Sequence, residues 1–150
     1  MKKPSLILCL GAVAATGAAQ PPSPSATTRP KPPKLEWHGA FSSVAKPRSL
    51  VAADAAAWKR LWIKDIGTSA PASVDFKKYV AAAVFLGQKP TGGYDVLFST
   101  VPAAGKRGTV IGYREKKPSH GAFVIESLTQ PYAIRLYPKP RGKVSIRKLP

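Results

Sequence analysis

Two histidines and seven carboxylates are the side chains of this 150-residue chain best suited to moving protons or holding a metal near neutral pH. His38 and His120 stand far apart, and neither has a second candidate ligand at the short spacing that metal sites use. Ser119 directly precedes His120, but a nucleophile and its base must meet through space in a fixed geometry, which chain neighbours rarely do. The acids Glu36, Asp54, Asp65, Asp75, Asp95, Glu115 and Glu126 are scattered. Asp54 suits a helix cap, and Asp75 and Asp95 suit the organisation of loops. No glycine-rich loop opens a helix, so phosphate cradling of the P-loop kind is not expected. Cys9 is the sole cysteine and sits in an apolar run near the start, which leaves the folded part without disulfide or thiol chemistry. The expectation is a binding protein rather than an enzyme, with no catalytic residue, metal or cofactor.

The groups that remain are suited to contact. Lys89 precedes Thr91-Gly92-Gly93-Tyr94 in a connection rich in proline and glycine. Either the glycines only let the chain turn, or they bring backbone amides close to a partner with Lys89, Thr91 and Tyr94 beside them. Near the C-terminus, alternation puts Arg135, Tyr137, Lys143 and Arg147 on the outward face of a final hairpin. That is a basic patch carrying an aromatic, the composition of many polyanion sites, although an ordinary solvated sheet face has the same pattern. Basic residues dominate the whole chain, with 24 Lys and Arg against 7 Asp and Glu, a net charge of +17 and a pI near 10.4. Such an excess favours acidic envelope polymers, anionic lipid heads, nucleic acid or an acidic protein, or serves solubility alone.

The elements that must position these residues follow from punctuation and periodicity. Residues 1–19 have the form of a signal peptide: Lys2 and Lys3, an apolar run from Leu6 to Ala15, and small residues at Gly17-Ala18-Ala19. Cleavage after Ala19 would leave a periplasmic or secreted protein with no transmembrane span and 22 basic residues against 7 acidic. Residues 20–34 read as a solvated, semi-stiff proline-rich linker, and residues 35–150 as one folded domain. Strands are expected over Trp37 to Val44 and Arg48 to Val51. A helix capped by Asp54 then carries Trp58, Leu61, Trp62 and Ile66 on one stripe and stops at Gly67. Tyr79 to Gly87, apolar at nearly every position, reads as a strand covered on both faces and paired in a central hairpin with Tyr94 to Val101. The loop from Gln88 to Gly93 is expected to project beyond that hairpin. Further strands are expected over Thr109 to Arg114, Ala122 to Leu128, Tyr132 to Tyr137 and Lys143 to Arg147. The fold class is α+β: about six to eight mostly antiparallel strands packed with one main helix.

Taken together, Trp37-x-Gly39-x-Phe41-Ser42, Trp58-x-x-Leu61-Trp62, Val74-Asp75-Phe76, the apolar strand ending at Gly87, Thr91-Gly92-Gly93-Tyr94, Pro118, Thr129-x-Pro131-Tyr132 and Pro138-Lys139 form an ordered set. This set resembles the C-terminal domain of PrcB-like protease-complex subunits over most of residues 35–150. The resemblance implies an exported, non-catalytic bacterial domain that accompanies or stabilises a protease. The chain departs from it in charge and in lacking a lipidation cysteine, since Leu8 stands before Cys9 where a small residue is usual. The leading expectation is a secreted domain that binds a protease or other exported protein through Lys89, Thr91, Gly92, Gly93 and Tyr94. The alternative is charge-driven binding to a polyanionic envelope surface through Arg135, Tyr137, Lys143 and Arg147, nucleic acid being less available outside the cytoplasm.

Overall fold

The computed structural model describes residues 35–99, 103–105 and 108–150, all within one unit, Pro33–Pro150. The expected signal peptide and linker, residues 1–34, lie outside the described residues. The order is β1 (Glu36–Gly39), β2 (Arg48–Ala52), α1 (Ala55–Arg60) running on into a π-helical stretch (Leu61–Ile66), β3 (Tyr79–Phe85), β4 (Asp95–Phe98), β5 (Ala103–Gly105), β6 (Gly108–Lys116), β7 (Tyr132–Pro138) and β8 (Val144–Lys148). The α+β class holds.

Asp54 starts the helix as its sequence position suggests: its carboxylate accepts from the Ala57 amide at 2.7 Å, and Gly67 ends it at φ 88°. The second half widens to π geometry, with the Gly67 amide donating to the Trp62 carbonyl five residues back. That widening turns Asp65 inward, where Arg48 of β2 pairs with its carboxylate.

The first sheet has the order β1-β7-β3-β2 and is antiparallel throughout. Trp58, Leu61 and Trp62 cover one face of it, against Trp37, Ala81, Ala83, Phe85, Tyr132, Ile134 and Leu136. The three indoles meet edge to face with centroids 5.4 to 6.1 Å apart. The other face, with Val80, Ala82, Val84, Leu86, Ala133 and Tyr137, packs on Val96, Phe98 and Ile111 of the second sheet. Strand β3 is therefore the middle of three layers, which is why it carries apolar residues at both parities.

In the second sheet β4 and β5 pair antiparallel with successive parts of β6, and β8 pairs with β6 in parallel, Thr109 beside Val144 through Tyr113 beside Lys148. Three expectations fall here. The central hairpin does not exist, because β3 and β4 belong to different sheets; the connection from Leu86 to Tyr94 carries the chain across the layer between them. The final hairpin does not exist either, since β7 lies in the first sheet and β8 in the second. Residues 122–128 form no strand.

Candidate functional site

The Gln88-to-Tyr94 segment is built by its neighbours. The Gln88 amide donates to the Ala45 carbonyl at 2.9 Å, and Lys89 and Thr129 exchange backbone hydrogen bonds of 2.8 and 3.0 Å in an isolated antiparallel bridge. The Thr129 side chain is fully buried and its hydroxyl donates to the Thr91 carbonyl at 2.8 Å. The Gly92 amide donates to the Ile125 carbonyl at 2.8 Å. Gly93 takes φ +82°, and a β-carbon there would stand 2.8 Å from Val124 and 2.9 Å from Pro118. The loop thus lies along the 124–129 segment instead of projecting, and Gly92 is buried.

The polar groups of the loop are also held. Lys89 donates to Glu115 at 2.6 Å, and its ammonium lies 5.2 Å from the centre of the Tyr94 ring. Lys148 of β8 reaches the other oxygen of Glu115 at 2.7 Å. Burial works to raise the Glu115 pKa, but hydrogen bonds from Lys148 and Lys89 and the two positive charges outweigh it and hold the carboxyl below the usual glutamate range. One carboxylate therefore ties the loop to both β6 and β8.

What faces outward is the segment across from the loop. Phe123 is fully exposed, Ile125 is 64% and Leu128 56% exposed. Phe41, 58% exposed, is tied close by, since the Gln130 amide donates to the Ala40 carbonyl at 3.0 Å. Large apolar side chains set outward along a backbone that is itself hydrogen-bonded are the mark of a contact surface. Sequence reasoning missed them because Phe123 and Ile125 alternate as in a half-buried strand. Alternation does not say which parity meets the core.

The expected basic patch is not one face. Arg135 pairs with Glu36 at 3.1 Å and Tyr137 is buried, its hydroxyl donating to the Ser99 carbonyl at 2.6 Å; burial pushes that phenol up to about 12. Lys143 and Arg147 are exposed, but they belong to the second sheet. The reason is topological: β7 lies between β1 and β3 and is covered on both sides, so neither of its parities is an outward face.

Of the titratable residues, His38 stands between two carboxylates, Nδ1 2.7 Å from Asp95 and Nε2 3.0 Å from Glu36. These contacts join β1, at one edge of the first sheet, to β4, at one edge of the second. A shallow hollow of about 360 Å³ beside them is lined by His38, Gly39, Ala40, Gly93, Tyr94, Asp95 and Lys116. His120 lies elsewhere, in an exposed turn. Among the described residues no group of three or more His, Cys, Asp or Glu side chains is placed to hold a metal ion, and no helix is long and apolar enough to cross a membrane.

A family model described as PrcB C-terminal matches residues 80–134. The match runs from β3 through the loop, the second sheet's first three strands and the apolar segment into β7, so it takes in Phe123, Ile125 and Leu128 but not Phe41. No curated protein and no solved structure matches the chain.

Proposed function

We propose, from a chain that is PrcB C-terminal domain-like over residues 80–134, that the protein is an exported, non-catalytic subunit that binds a protease or another exported protein. The contact is made by the segment carrying Phe123, Ile125 and Leu128, held in place by Lys89, Thr91, Gly92, Gly93 and Tyr94. The observation that carries this reading is the outward set of those three side chains on a hydrogen-bonded backbone. The loop residues act as its support: they fix the path of the chain from which the apolar groups project.

The test is recovery of a partner from the periplasm or medium by the tagged protein and by a Phe123→Ser/Ile125→Ser variant. The wild type should retain a defined protein, and the variant should lose at least tenfold of it. Phe123 and Ile125 are exposed, so the variant should unfold within about 0.5 kcal/mol of the wild type. Retention unchanged in a variant of unchanged stability removes this surface from the contact. Gly93→Val serves less well, because its positive φ and its closeness to Val124 and Pro118 make it a change in the fold as much as in the surface.

A further inference from the structure

Alternation in the second sheet sends Val96, Phe98, Ile111, Val144 and Ile146 into the core and leaves the opposite parity outside. On that outer face the register builds a line. Lys143, next to Gly108, keeps the parity of Arg147, which lies beside Gly112; Arg114 and Lys116 follow on β6. At about 3.3 Å per residue the four cations span about 26 Å along β6. All four are exposed, and among the described residues no acid pairs with any of them. Asp95, across from Lys116, is engaged by His38. Three aliphatic side chains stand inside the line: Val110, partly buried beside Ser145, Leu97, 50% exposed, opposite Arg114, and Leu149, packed over Gly112.

We infer that this face docks on an anionic phospholipid bilayer. Headgroup phosphates receive the ammonium and guanidinium groups, while Leu97 and Leu149 meet the acyl boundary. Single-stranded nucleic acid would call for an aromatic platform, and the exposed parities of β4, β6 and β8 carry none, Phe98 and Tyr113 facing the core side. The face shares no residue with Phe123, Ile125 or Leu128, so either assignment can fail without the other.

Co-sedimentation of the full chain with vesicles containing phosphatidylglycerol, against vesicles of phosphatidylcholine alone, tests this. The neutral vesicles report any contribution from the apolar run at the N-terminus. Binding to the anionic vesicles should exceed that baseline and collapse in high salt. Each cation near the surface is worth about fivefold, so a variant with Arg114, Lys116, Lys143 and Arg147 all changed to Gln should lose about several hundredfold. A control with Lys59, Arg60, Lys64 and Lys77 changed to Gln loses the same charge from exposed positions elsewhere and should lose less than tenfold. Equal loss in the two variants, or no preference for anionic vesicles, overturns the inference. So does a variant that loses binding to a single-stranded oligonucleotide while keeping vesicle binding. The eight positions are exposed, and unchanged unfolding midpoints confirm that folding is not what the assay reads.

Discussion

Tyr137 is a core residue with a polar end, and its hydroxyl is what makes the layer between the sheets sensitive to alkali. Its ring packs edge to face with Phe98 at 6.3 Å, and its O–H reaches the Ser99 carbonyl where β4 ends. Desolvation favours the neutral phenol, so the folded pKa is raised to about 12 from an ordinary value of 10.0. A group raised on folding contributes stability that is complete below its unfolded pKa and is lost as pH climbs through the folded one. Tyr137→Phe should therefore cost about 1 kcal/mol near neutrality, from the lost hydrogen bond. Above pH 10 the wild type gives up this contribution and the variant does not. The stability gap in urea titrations should close above pH 10 and reverse before pH 12, and a gap constant across that range would show that the phenol does not titrate against burial.

At the scale of elements, the helix was the most legible part of the chain because its signals are local. Asp54, the indole stripe and Gly67 lie within 14 residues, and each acts on its own turn. Asp54→Ala should remove the carboxylate that holds the Ala57 amide and cost about 1 kcal/mol, read as a lowered urea midpoint with an unchanged slope. A loss below about 0.3 kcal/mol would mean that tertiary packing alone sets where the helix starts. Most strands were legible one by one, β3 even as to the covering of both its faces, but residues 122–128 form none, β5 lies where a loop was expected, and the strands' partners were not legible. Tyr79 to Gly87 and Tyr94 to Val101 have the spacing of a hairpin, yet Leu86 bonds back to Pro131 and Lys89 to Thr129, so the connection is spent crossing between sheets. Pairing between β1 and β7, which joins Glu36 to Arg135, is set by closure over most of the domain, and no local pattern encodes it. The same limit hid the candidate contact surface. Phe123 and Ile125 face outward only because Val124 is the residue that meets Gly93.

Across the whole molecule, β3 is shared by both cores, and this makes a prediction about cooperativity. All three tryptophans, Trp37, Trp58 and Trp62, lie on the helix side, so indole fluorescence reports only that layer. Phe98 lies on the other side, in the layer between the sheets, where its ring meets Tyr137. Phe98→Ala leaves a cavity there and should cost about 3 kcal/mol or more. If Ala81 and Ala83 on one parity of β3 and Ala82 and Val84 on the other are held by a single strand, that loss cannot stay on one side. Urea unfolding followed by tryptophan fluorescence and by far-ultraviolet circular dichroism should shift together, with coincident midpoints. A fluorescence midpoint that stays at its wild-type value while the dichroism midpoint falls would show that the helix layer and the second sheet unfold separately. The first sheet would then stand as a platform with an independent β-layer attached, and a partner gripping the Phe123 segment would not stabilise the tryptophan core. With coincident midpoints, binding at that segment raises the stability of the entire domain, by a factor set by partner concentration over its dissociation constant.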